Sequence, residues 1–229
     1  MNGLPEQIDT LKRQIRELGG LAEQAISRVV HALVRYDTIL AQSVVAADEE
    51  IDLKEIDVEQ HCLAILADHH PTGEDLRFVV AVLKINNDLE RVGDLAANIA
   101  KIVLHLVDNE RFQRVGGCDT MASQAQAMLN NSLQALVSSD VSLARQVIAA
   151  DDEVDEMQRR IQRRIEQAID RTPENVRPLM QLDFVVRQLE RVGDMATNIA
   201  EDVIFMVEGR IVRHQSLRRG PGFVSGHMI

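Results

Sequence analysis

The sequence predicts an all-α protein of six helices, arranged as two duplicated three-helix bundles. Three observations carry that prediction. The signature Leu89-Glu90-Arg91-Val92-Gly93-Asp94, continuing to Asn98-Ile99-Ala100, recurs 100 positions later as Leu189-Glu190-Arg191-Val192-Gly193-Asp194 with Asn198-Ile199-Ala200. Apolar residues step by threes and fours along the long segments, the period of a helix with one buried face. Aromatics are scarce, with no Trp, one Tyr and five Phe, so aliphatic side chains must fill the core. No stretch shows the two-residue alternation of a strand.

The first segment keeps heptad spacing from Ile8 through Leu11, Ile15, Leu18, Ala22, Ala25, Val29 and Ala32 to Tyr36, one apolar seam of the bundle type. Gly19-Gly20 weakens helix propensity there by about 1 kcal/mol per glycine, which predicts a kink. A turn at Tyr36-Asp37-Thr38 leads to a second segment over about 39–67. Asp68 to Gly73, with Pro71, forms the next turn, because proline cannot continue a helix. The third segment, about 74–107, carries the first signature, and Asp75 suits its positive N-terminus. Residues 108–120, with Gly116-Gly117, read as the linker. The pattern then repeats over 121–137, 143–170 and 175–213, with a turn at Arg171-Thr172-Pro173. The expected units are residues 1–115, residues 116–215 and a disordered tail at 216–229, rich in Gly and Arg.

The formal charge of −11 argues against a nucleic-acid surface, which needs clustered Lys and Arg, and suits cations or basic partner patches. Cys62 and Cys118 lack any metal-type spacing and read as reduced thiols. The N-terminus lacks the pattern of a signal peptide, and no apolar run approaches the length of a membrane span. The expectation is a cytoplasmic protein, peripheral to membrane complexes at most.

Each signature sets a Glu and an Asp four residues apart. On a helix that stacks two like charges on one face, at a cost of a few tenths of a kcal/mol. The preceding segment of each half holds a second pair, Asp48 with Asp52 and Asp151 with Asp155. The pairs at 48/52 and 90/94 are centred equally far from Pro71, and those at 151/155 and 190/194 equally far from the Arg171–Pro173 turn. Folded as antiparallel hairpins, both halves bring four carboxylates to one height. Acids on long helices are usually solvated, but this doubled register favours two cation sites: Asp48, Asp52, Glu90 and Asp94, then Asp151, Asp155, Glu190 and Asp194. All-oxygen donors suit hard ions or carboxylate-bridged iron and manganese. Asn87 and Asn98 share the first face, and Asn198 the second, as further ligands or hydrogen-bond partners. Arg187 replaces Asn87 and Glu201 replaces Lys101, so the two sites need not be equal. Arg91 and Arg191 serve either as salt bridges to the acids or as contacts for a neighbouring helix or partner. Gly93 and Gly193 imply close helix approach or access for a metal. The strip Arg159, Arg160, Arg163 and Arg164 reads as a solvated face, or else a contact for an acidic surface. No histidine follows a Glu by three residues in the manner of ferritin-like di-iron proteins, and neither a phosphate-cradling loop nor a nucleophile triad is present in the sequence.

The doubled signature, the acidic pairs upstream and Pro71-Thr72-Gly73-Glu74-Asp75-Leu76-Arg77 resemble the PhoU family over about residues 8–210. The resemblance implies a six-helix fold of two similar bundles, often a homodimer, with metal ions held at the eight carboxylates named above. Iron or zinc are the metals implied, with manganese, nickel or magnesium as further candidates. It also implies a negative regulator of the phosphate-starvation response, not an enzyme, linking the ATPase subunit of a phosphate ABC transporter to a phosphate-sensing histidine kinase. A carboxylate-bridged metalloenzyme or iron-storage protein is the alternative, and a metal-free scaffold held by Arg91 and Arg191 is the third reading.

Overall fold

The computed structural model describes residues 3–107 and 115–212. Six long helices follow one another: α1 (Leu4–Arg35), α2 (Thr38–His69), α3 (Gly73–Val107), α4 (Cys118–Ser138), α5 (Val141–Arg171) and α6 (Val176–Glu208). A 3-10 turn at Pro173–Asn175 joins the last two. There is no strand among the described residues. The expected tail at 216–229 and most of the expected linker lie outside those residues.

The first turn of each half repeats as closely as the signatures do. α1 ends at Tyr36 and α4 at Ser139, both left-handed, with φ of 56° and 54°. The next residue caps the following helix in each half. Asp37 accepts from the Leu40 N–H at 2.9 Å, and Asp140 from the Leu143 N–H at 3.0 Å. These caps satisfy donors that the first helical turn leaves open. They also fix the correspondence between α2 and α5 at an offset of 103 residues, the offset of the acidic pairs.

Several expected boundaries move by a few residues, and Gly19-Gly20, where a kink was expected, lies inside an unbroken α1. A Cβ on Gly19 would stand 3.0 Å from Leu133 Cδ2, so the glycine admits the close approach of α4. α2 runs two residues past Ala67, to a left-handed His70. α6 stops at Glu208, short of the expected 213, because Gly209 takes the left-handed cap at φ 68° and its N–H returns to Phe205 O.

α2 packs only on α1 and α3, and α5 only on α4, α6 and the 3-10 turn. α1, α3, α4 and α6 form the middle of the molecule, where α3 lies along α6 and α1 along α4. One apolar cluster draws residues from all six helices, among them Leu18, Ile65, Leu89, Leu129, Ile161 and Val192. Its continuity across both halves comes from the α3–α6 and α1–α4 contacts. Cys62 and Cys118 are free thiols in that core, and burial pushes them up to about 12 and about 11, so they stay protonated. No described helix is long and apolar enough to cross a membrane.

Candidate functional site

The α2–α3 hairpin brings the first four acids together. Asp48 and Glu90 are half-buried, and Asp52 and Asp94 are exposed. Burial raises Asp48, and the charges of Asp52 and Asp94 raise it further, against Lys101. Burial also raises Glu90, followed by repulsion from Asp94, Asp52 and Glu55. In the second hairpin all four acids are half-buried. Glu190 is pushed up to about 7, first by burial and then by Asp194, Asp155 and Asp151. Asp194 rises to about 6, again by burial first, then by Asp151 and Asp155. Asp151 is raised by burial, and Thr197 Oγ1 donates to it at 3.3 Å and opposes the rise. Each quartet named from the sequence therefore shares one electrostatic neighbourhood.

The sequence reading missed three participants. Glu55 adds a fifth acid to the first group, raised by burial and then by Glu59 and Asp52. It lies three residues after Asp52, a spacing that could have shown it. Asn86, not its exposed neighbour Asn87, turns inward. Its side chain is 1% exposed and donates to Glu55 Oε1 at 2.7 Å and to Glu55 O at 3.0 Å. Thr197, where the first half has Ala97, is the third. At the positions of Glu55 and Glu59 the second half carries Gln158 and Gln162. The first group is thus richer in carboxylate. Arg187, in the place of Asn87, instead holds Asp183 through two nitrogens, at 2.9 and 2.5 Å.

The two signatures also face a common cleft. Arg91, Asp94 and Asn98 from α3 line it with Gln188, Arg191 and Asp194 from α6, around a volume of about 410 Å³. Arg91 and Arg191 are exposed there, and neither closes an ion pair among the described residues. Asn198 is half-buried on α6. The arginine strip on α5 is partly paired: Arg159 and Arg163 reach Glu156, and Arg164 donates to Gly116 O.

The donor chemistry of the quartets fits a hard or borderline divalent ion. The geometry fits less closely. Among the described residues no three His, Cys, Asp or Glu side chains converge on one point in the manner of a coordination sphere. Focusing the oxygens on an ion would require these carboxylate side chains to rotate.

The two glycines of the signatures differ. A Cβ on Gly93 would stand 2.9 and 3.1 Å from Ile51 carbons and 3.3 Å from Asp48 Oδ1. On Gly193 the nearest atoms it would meet belong to Val154 and Met128, at 3.5 Å or more. Gly193→Ala is expected to stabilise the chain by about 0.5–1 kcal/mol through helix propensity. Gly93→Ala is expected to destabilise it by about 1 kcal/mol, because crowding of a packed core outweighs that gain. Urea denaturation of both variants checks this, and equal shifts of one sign would refute it.

Fold and site together define a class: a duplicated all-helical protein with a carboxylate group on each half. The PhoU domain model matches residues 15–103 and 119–203. A phosphate-specific transport system accessory protein PhoU homolog of Aquifex aeolicus is 34% identical over 213 residues, covering 93% of this chain and 96% of its own length. The homolog of the same description from Caulobacter vibrioides is 35% identical over 211 residues, or 92% of each chain. The crystal structure of PhoU from Pseudomonas aeruginosa superposes with a TM-score of 0.87 at 31% identity, over 90% of this chain and 99% of that one. The phosphate transport system regulatory protein PhoU from Streptococcus pneumoniae gives 0.84 at 27% identity. The chain belongs to the PhoU family.

Proposed function

We propose that this chain is a cytoplasmic accessory protein of phosphate transport that restrains phosphate uptake and phosphate-starvation signalling. It acts as an adaptor between the ATPase subunit of a phosphate ABC transporter and a phosphate-sensing histidine kinase, not as an enzyme. Its relatives, a phosphate-specific transport system accessory protein PhoU homolog and a phosphate transport system regulatory protein PhoU, support the transport role. Metal ions, iron or zinc first, would be held by Asp48, Asp52, Glu90 and Asp94 on one half and by Asp151, Asp155, Glu190 and Asp194 on the other. The observation that carries this reading is that each hairpin gathers its four acids into one mutually repelling group. A bound cation would supply positive charge that offsets the repulsion. The chain's own residues orient the acids: Thr197 fixes Asp151, and Asn86 fixes Glu55 beside Glu90.

Plasma mass spectrometry of untagged protein prepared without chelator tests the assignment. Wild type is expected to carry iron, zinc or manganese. Glu90→Ala with Asp94→Ala, and separately Glu190→Ala with Asp194→Ala, are expected each to remove one site's share while circular dichroism stays helical. Metal content unchanged in both pairs would defeat the site, and metal-free wild type would defeat the metal.

A further inference from the structure

α2 is apolar on its outside as well as its inside. Its inner row, Val44, Ile51, Val58 and Ile65, is buried. A second row is exposed: Leu53 at 59%, Ile56 at 44% and Leu63 at 54%. With Gln60 and Ala67 it steps alternately by three and four, the spacing of a helix-packing seam. Ile39 and Ala46, both exposed, extend it backwards at intervals of seven. Because α2 touches only α1 and α3, no described residue covers this row.

The bundle itself does not need it. The 103-residue correspondence places Glu156, Arg159, Arg163, Glu166 and Asp170 of α5 where α2 has Leu53, Ile56, Gln60, Leu63 and Ala67. There Glu156 pairs with Arg159 at 3.7 Å and with Arg163 at 3.6 Å. The same place in the fold therefore accepts a charged outer face. An exposed apolar row of this kind marks an interaction surface.

Its rims say what it meets. The positions flanking the seam are Asp52 and Glu59 on one side, Glu50 and Asp57 on the other, all exposed. Neither rim holds a Lys or Arg over this stretch. A second copy of this chain would set one acidic rim against another, and an anionic lipid or nucleic acid would be repelled. A helix with an apolar stripe between lysines or arginines complements both features. We propose that the outer face of α2, centred on Leu53, Ile56 and Leu63, docks a basic amphipathic helix of a partner protein. This goes beyond the metal reading, and Glu50, Asp57 and Glu59, which are not among the proposed ligands, keep the rims acidic with or without a bound ion.

The test titrates the full chain with two fluorescent three-heptad peptides. Both carry leucine at the seam positions; one has lysine and the other glutamate at the flanks. The comparison variant is Leu53→Glu, Ile56→Arg, Leu63→Glu, which transplants the residues of α5 and leaves all eight proposed metal ligands in place. The lysine peptide is expected to bind wild type with a low-micromolar Kd, more weakly as salt rises, and the glutamate peptide not at all. The variant is expected to lose about tenfold or more in affinity, with unchanged helicity, melting temperature and metal content. No binding of the lysine peptide, or equal binding to wild type and variant, would overturn the proposal. So would self-association of wild type, seen by sedimentation, that the variant abolishes, since a second copy would then be the occupant.

Discussion

Replacing Lys84 by methionine is expected to cost about 2–3 kcal/mol of unfolding free energy, and to lower the melting temperature by about 5–10 °C. Lys84 Nζ on α3 lies 3.2 Å from Asp202 Oδ1 on α6, and the Asp202 side chain is only 2% exposed. The ammonium also stands 4.8 Å from the centre of the Phe205 ring, a contact that contributes about 0.5–1 kcal/mol. Methionine keeps the aliphatic stem, so the loss isolates the charge. Adding Asp202→Leu to Lys84→Met is expected to recover most of the loss, because an apolar pair of similar volume has no charge to desolvate. A single-variant loss under about 0.5 kcal/mol, the range of an exposed pair, would show that the α3–α6 joint does not depend on this contact.

Stability is expected to fall as pH rises from about 4 to above 7, through the second carboxylate group. Glu190 and Asp194 bind protons more tightly folded than unfolded, rising from 4.5 to about 7 and from 3.8 to about 6. The folded state then holds more protons between those values, so each step upward in pH favours unfolding. The penalty is absent below the unfolded values and complete above the folded ones. Asp48, Glu90 and Asp151 act in the same direction. His61 acts oppositely, since burial lowers its pKa and its unfolded form binds the proton more readily. Comparison with Glu190→Gln, Asp194→Asn therefore isolates the pair. Thermal melts across this range should show a flatter pH dependence and a higher melting temperature near pH 7.5 in the variant. A divalent cation that the acids bind should raise wild-type stability near pH 7.5 more than near pH 5. Identical slopes in wild type and variant would remove the coupling between these acids.

The number of helices, their order and the turns were legible because they rest on local chemistry. Heptad spacing states a helix's buried face, proline ends it, and an Asp before an apolar run caps it. The paired register of the acids was legible for a related reason: a hairpin of rigid helices converts sequence distance from the turn directly into height. Glycines were read less well. Gly19 looked like a kink and is a contact with Leu133, and Gly93 and Gly193 looked alike and are not. A glycine's effect depends on what faces it, and the facing residue belongs to another helix.

Sequence by itself therefore determined the helical class, the duplication and the four carboxylates of each hairpin, all consequences of period and spacing along one or two adjacent helices. Tertiary structure alone decided that α3 and α6 meet and turn both signatures into one cleft, that Asn86 rather than Asn87 supports the acids, and that the second apolar row of α2 stays outside. Those outcomes follow from contacts between helices distant in sequence and from which face each helix buries. No one-dimensional pattern records that choice when, as on α2, both faces are apolar.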